Sequence, residues 1–154
     1  MTRSLPHYAA HDQNVRIRPW HPDDIAPFLE AVQASHAELS EWLPWCHADF
    51  GWADASAYVL SRSTAWREGL EYSFAIEEAS GERRLLGDVV LTDVCSMHRR
   101  ANVGYWVRSD ATGAGVATRA VRLLAAFAFR HLALERLEIL VEPENAASAR
   151  VAVR

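Results

Sequence analysis

The stretch NVGYWVRSDATGAGVA, residues Asn102–Ala117, decides the fold. Val103, Tyr105 and Val107 alternate with Gly104, Trp106 and Arg108, a period of two among β-branched and aromatic residues that predicts a strand. Gly113 and Gly115 then permit a tight turn into a long helix, which leaves consecutive backbone N–H groups at the helix start. Those donors, together with the positive end of the helix dipole, suit a bound phosphate. The charge pattern agrees: the chain is formally −4, yet no Asp or Glu falls between Ala111 and Leu134, where Arg119, Arg122 and Arg130 lie.

Two glycines before a helix are more often an ordinary turn than a ligand site, so the order of the surrounding elements matters. The nearest rival is a dinucleotide fingerprint, because a strand, Gly113-Ala114-Gly115, a helix and a strand ending at Glu142 imitate a Rossmann unit. Thr118 stands where that fingerprint has its third glycine, and the acid lies farther on than usual. The twelve residues after Glu142 are also too few for the rest of a doubly wound sheet.

The same loop, taken with GYWV (104–107), RLEILVEPEN (136–145), the Asn145-x-x-Ser148 helix start and EWLPW (41–45), resembles the GNAT acetyltransferases. Within them it is similar to the RimJ/RimL-like branch, which acetylates protein N-termini and related amines. The family's acetyl-CoA loop reads Gln/Arg-x-x-Gly-x-Gly/Ala. TGAGVA (112–117) matches its last four positions, with Gly115 and Ala117 on the small residues and Thr112 departing from Gln/Arg.

The resemblance implies an α/β (α+β) fold, in which a mixed sheet with splayed central strands is flanked by helices and the C-terminal strands of the family are missing from this chain. It implies acetyl-CoA as co-substrate, held by Trp106, Val107, Thr112, Gly113, Ala114, Gly115, Val116, Ala117, Thr118 and Asn145. The Val107 amide is the candidate oxyanion donor to the thioester carbonyl, and Ser148 the candidate general acid for the departing thiolate. Asn145 equally reads as a plain helix cap, and Ser148 as a solvent-facing residue. Tyr105, Trp42 and Trp45 are candidates for the acceptor channel, with His47 and Asp49 behind them. A hydrophobic cluster under the following loop explains the indoles as well. Family members often carry Glu where Asn102 stands, and an amide cannot take a proton, so a water chain, His98 or another carboxylate is left to act as base.

At 154 residues the chain makes one domain, and with half of its residues hydrophobic it is not generally disordered. All sixteen basic residues are Arg, a usage bias rather than a functional signal. Cys46 and Cys95 form no CxxC or Cys/His ligand set, which points to a reducing cytosol and no metal. The most apolar run, Leu123 to Phe129, is bounded by Arg122 and Arg130 and is too short to span a bilayer. The expectation is a soluble cytoplasmic protein with no nucleic-acid or membrane partner.

Along the chain, residues 1–13 read as a flexible arm in which His7 and His11 have helical metal spacing but no third ligand. Residues 14–154 read as the single GNAT-like domain. Asn14 to Arg18 is the first strand, and Pro22-Asp23-Asp24 starts a helix with Ile25, Phe28, Leu29, Val32 and Leu39 as its buried stripe. A second helix spans about Asp54 to Glu68 and ends at Gly69. A hairpin follows, with Tyr72, Phe74 and Ile76 alternating on one strand and Leu85 to Thr92 forming the other. The long helix carries Val116, Ala120, Leu123, Leu124, Phe127 and His131 on one face. Leu137 to Val141 is the fifth strand, parallel to the organising one through a right-handed crossover. The resemblance implies that these two strands splay to admit the pantetheine arm. Since family members continue into two more strands, the chain reads as truncated at its C-terminus. The bare apolar edge this leaves recruits another strand, and a homodimer is one way of covering it.

The expected activity is transfer of an acetyl group from acetyl-CoA to a primary amine. An α-amine with a pKa near 8 is about one-tenth neutral at pH 7, far more than a lysine near 10.4, so a site without an obvious base suits α-amines. The alternative is a non-catalytic acyl-CoA-binding or regulatory module.

Overall fold

The computed structural model of the protein describes residues 8–153. One sheet contains, in spatial and chain order, β1 (Ala10–His11), β2 (Val15–Pro19), β3 (Tyr72–Glu78), β4 (Leu85–Cys95), β5 (Arg100–Val107) and β6 (Arg136–Glu138). Neighbours are antiparallel except β5 and β6, which are parallel and joined through helix α4 (Val116–His131). Between β2 and β3 lie α1 (Ile25–Ala34), α2 (His36–Trp42) and α3 (Trp52–Glu68), with Gly69 in the left-handed conformation at the end of α3 as its position predicts. Helix α5 (Ala146–Val153) follows β6. Among the described residues no helix is long and apolar enough to cross a membrane.

Two apolar clusters hold the layers together. In one, Val116, Ala120, Leu124 and Phe127 of α4 pack on Val15, Ile17, Phe74, Ile76, Val89 and Leu91. In the other, Phe28, Val32, Ala55 and Val59 of α1 and α3 pack on Ala75 and Trp106. Strand β3 is therefore buried on both faces, and the alternation of Tyr72, Phe74 and Ile76 marks only one of them; Ser73, Ala75 and Glu77 are buried too. The Glu77 carboxylate is tolerated there because Arg16 and Arg18 donate to it at 2.8 and 2.9 Å, and Arg18 also grips Asp24 with two bonds of 2.8 Å.

The structure corrects four expectations. His7 lies outside the described residues, but residues 8–13 of the expected arm are ordered, and Ala10–His11 adds an edge strand to β2. The turn between them is made by Asp12, whose carboxylate accepts from the N–H groups of Asn14 and Val15 at 2.7 and 2.9 Å. The first helix is broken at Ser35, where the buried hydroxyl accepts from the N–H of Ser109 at 2.9 Å, so Leu39 belongs to α2. Strand β4 continues to Cys95 past an irregularity in its pairing with β5 between Thr92 and Cys95. Strand β6 ends at Glu138 instead of Val141, because beyond Asn102↔Glu138 it has no partner to pair with.

Candidate active site

The parting of β5 and β6 makes the site. Their parallel register runs Arg100↔Arg136, Ala101↔Leu137, Asn102↔Glu138 and stops there, while β5 stays paired with β4 as far as Gly87↔Val107. The Arg108 N–H donates to the Leu86 carbonyl at 2.8 Å, on the β4 side. Backbone groups alternate in direction along an antiparallel ladder, so the N–H and C=O of Val107 and Tyr105 face the opposite side, into the gap left by β6. Strand β4 comes unusually close behind this point: a Cβ on Gly87 would lie 2.0 Å from the Trp106 carbonyl oxygen.

The loop after β5 is tied down at its base. Arg108, only 5% exposed, holds both carboxylate oxygens of Glu30 at 2.9 Å and Asp110 at 2.7 Å. With the Ser109–Ser35 bond, this docks the short 3-10 turn at Ser109–Ala111 onto the α1–α2 junction. Thr112, in the place of the family's Gln/Arg, donates its hydroxyl back to the Ser109 carbonyl at 2.9 Å. Gly113 and Gly115 follow with φ of 81° and 77°, conformations that cost other residues strain. Gly115 is the N-cap of α4, where no side chain caps the helix and no acid occupies the first turn. The first intrahelical bond is Arg119 N–H to Gly115 C=O at 3.0 Å, so the N–H groups of Val116, Ala117 and Thr118 remain for an anion. The Arg119 guanidinium bonds Asp12 at 3.0 Å. Backbone N–H groups and the helix dipole make the cradle, and Arg119 lies beside it, its Nε 3.8 Å from the place of a Cβ on Gly115.

A cleft of about 450 Å³ runs over these groups. It is lined by Trp42, Tyr105, Trp106, Val107, Thr112, Gly113, Gly115, Val116, Ala117, Thr118, Asn145 and Ser148, all of them candidates from sequence. Two candidates lie elsewhere. Ala114 is an exposed loop residue that does not line the cleft, and Trp45, 39% exposed, packs on Phe28, Phe50 and Trp106 with centroid separations of 6.4, 5.6 and 6.1 Å. Trp45 thus belongs to the aromatic cluster, while Trp42 faces the cleft. At the start of α5, Asn145 Oδ1 accepts from the Ser148 N–H at 3.2 Å, and the Tyr105 hydroxyl donates to the Ser148 carbonyl at 2.9 Å. Burial pushes the Tyr105 phenol above its ordinary pKa, so it stays protonated at neutral pH.

His47 and Asp49 do not line the cleft; His47 bonds Asp54 at 3.3 Å. His98 sits exposed in the loop before β5, also away from it. The Asn102 amide donates to Asp93 at 2.8 Å, which puts a carboxylate beside the position where the strands part. Asp93 has φ of 49°, next to the pairing irregularity in β4. Sequence reasoning also missed Glu38, Leu43 and Arg150 as lining residues. Helical spacing is a signal for Glu38, four residues before Trp42, whereas Leu43 and Arg150 reach the lining through tertiary packing. Among the described residues no group of three His, Cys, Asp or Glu could hold a metal ion.

Comparison with known proteins agrees with this geometry. A family model described as an acetyltransferase (GNAT) domain matches residues 14–154. YdaF of Bacillus subtilis (strain 168), named as a ribosomal N-acetyltransferase, is 26% identical over 144 residues, covering 93% of this chain and 77% of that protein. A structure from Vibrio cholerae, named as a ribosomal-protein-serine acetyltransferase, superposes with a TM-score of 0.85 at 25% identity, covering 98% of this chain and 83% of the other. Mycobacterium smegmatis RimJ, solved in complex with CoA-disulfide, superposes with a TM-score of 0.79 at 28% identity, covering 90% and 68%.

Proposed function

The chain belongs to the GNAT acetyltransferase family, and we propose that it acetylates the α-amine at the N-terminus of a protein or peptide, with ribosomal proteins as the leading substrate class. The observation that carries the reading is the convergence, in one cleft, of the glycine cradle at the start of α4, the inward-facing amides of β5 and the Ser148 hydroxyl. Acetyl-CoA supplies an activated acyl group on a sulfur leaving group. Val116, Ala117 and Thr118 offer N–H groups to its pyrophosphate, and Asn145 borders the pantetheine path. The Val107 N–H faces the gap where the acyl oxygen gains charge as the amine adds. A C–N bond forms, the C–S bond breaks, and the amine gives up a proton to water. The thiolate takes the Ser148 hydroxyl proton, which solvent then replaces.

The names of YdaF and the Vibrio cholerae protein support this acceptor class, as does the lining of the cleft, where Glu38 is the one carboxylate or imidazole among the described residues. An α-amine already about one-tenth neutral at pH 7 asks least of such a site. Ribosomal proteins as acceptors support a cytoplasmic site of action. Asn102 favours a second reading, a non-catalytic acyl-CoA-binding module, because its amide cannot take a proton.

One assay separates the two: CoA release from acetyl-CoA with a panel of N-terminal peptides, free lysine derivatives and small amines. Acetylation of peptide α-amines is expected, while acetyl-CoA binding without turnover on any amine would establish the module. Gly115→Glu, which places a carboxylate in the cradle, is expected to abolish acetyl-CoA binding with the fold intact. Unchanged affinity by calorimetry would sink the cradle.

A further inference from the structure

Ser148 is held at both ends of its backbone by side chains. Its N–H is capped by Asn145 Oδ1 at 3.2 Å, an ordinary helix-start contact. Its carbonyl accepts the Tyr105 hydroxyl at 2.9 Å, and that bond is of another kind. Tyr105 stands on β5, on one wall of the cleft, and Ser148 on α5, on the other, forty-three positions further along the chain. Among the described residues this is the hydrogen bond that joins β5 to α5 across the gap. Among the described residues the Ser148 hydroxyl has no hydrogen-bond partner, so its place over the cleft is set by its backbone.

We propose that Tyr105 is a positioning residue for Ser148, its phenol fixing the first turn of α5 so that the Ser148 hydroxyl sits where the departing sulfur needs a proton. This rests on the proposed acetyl transfer and on the role of Ser148 within it. Proton transfer requires an approach of about 2.6–3.2 Å, and a displacement of about 1 Å can lower a rate by about a hundredfold. Helix α5 has no buried residue along its length, so little apolar packing fixes it to that tolerance. A directed bond from β5, the strand that carries the Val107 amide, references acid and oxyanion donor to one rigid element. The phenol carries its proton at neutral pH in any case, and so is always a donor to the Ser148 carbonyl.

The test is a double-mutant cycle with Tyr105→Phe and Ser148→Ala, measured with acetyl-CoA and the best peptide acceptor. Tyr105→Phe keeps the ring and removes one oxygen. It is expected to lower kcat about tenfold while the KM for acetyl-CoA stays within about twofold, since the hydroxyl acts through the late proton transfer. Added to Ser148→Ala, it should cost nothing further. Multiplicative losses in the double variant would overturn the proposal by showing that Tyr105 acts by its own contact with substrate. Full turnover in Tyr105→Phe while Ser148→Ala is slow would overturn it and leave the acid assignment standing. Full turnover in Ser148→Ala would remove the acid assignment, and the positioning role with it. A chain that binds acetyl-CoA yet transfers nothing would overturn the proposed function itself, a result none of the variants can mimic.

Discussion

Asp88 and Tyr58 are joined inside the protein, the phenol of α3 donating to the carboxylate of β4. The Ser73 hydroxyl donates to the same carboxylate at 2.8 Å, Trp20 Nε1 lies 3.4 Å from it, and Arg62 stacks on the Tyr58 ring at 4.3 Å. Asp88 is also the cross-strand neighbour of Trp106, so the network lies directly behind the cleft. Burial pushes Asp88 up to about 6 against the three bonds that favour its charge, and pushes Tyr58 well above its ordinary value.

A stability profile should therefore fall toward neutral pH. The native state holds the Asp88 proton up to about pH 6, whereas the unfolded chain releases it near 4, so between those values the native state binds more protons and stability declines as pH rises. From pH 5 to 7.5 the expected loss from this one group is about 1 kcal/mol. Carboxylates held below their ordinary range, Asp12, Asp54 and Asp110, act in the opposite sense, but below this window. Denaturant unfolding of Asp88→Asn should give a flatter profile over pH 5–7.5; an unchanged slope would mean that Asp88 titrates normally.

Gly87→Ala should be among the most damaging single-methyl additions in the chain, because its Cβ would meet the Trp106 carbonyl oxygen at 2.0 Å and a strand cannot yield as a flexible side chain does. A loss of at least about 3 kcal/mol is expected by urea unfolding. Gly113→Ala meets no atom within 4 Å and pays only for its φ of 81°, about 1 kcal/mol. Equal losses would contradict the close approach of β4 and β5.

The two indoles of EWLPW should separate in function. Trp45→Ala, which removes a ring packed on Phe28, Phe50 and Trp106, is expected to destabilise by about 2 kcal/mol. Trp42→Ala should leave the melting temperature nearly unchanged and raise a substrate KM severalfold, since Trp42 lines the cleft. The reverse pattern would reassign the acceptor wall.

Arg119→Gln should lower stability by less than about 1 kcal/mol, the usual scale for a partly exposed ion pair, through loss of its bond to Asp12. Acetyl-CoA affinity by calorimetry should stay within about threefold. A tenfold loss would show that Arg119 leaves Asp12 for a phosphate when the cleft is filled.

What was legible in the sequence is what depends on neighbours along the chain. Period-two alternation in Val103, Tyr105 and Val107, the helical stripe from Val116 to Phe127, Gly69 as a helix stop, the Asn145 cap and the left-handed glycines at 113 and 115 are all local requirements of the backbone, and residue types report them directly. Tertiary structure decided the rest. That β3 is buried on both faces, that Ser35 breaks the first helix to receive Ser109, that Arg119 turns to Asp12, and that Asp88 is held by Tyr58, Ser73 and Trp20 are pairings across long stretches of chain. No periodicity encodes such pairings, because each depends on which surfaces meet once the layers close. Trp42 and Trp45 differ for the same reason: their side chains are identical and three residues apart, and the fold turns Trp42, the last residue of α2, into the cleft while Trp45, beyond the helix end, packs on Phe28, Phe50 and Trp106.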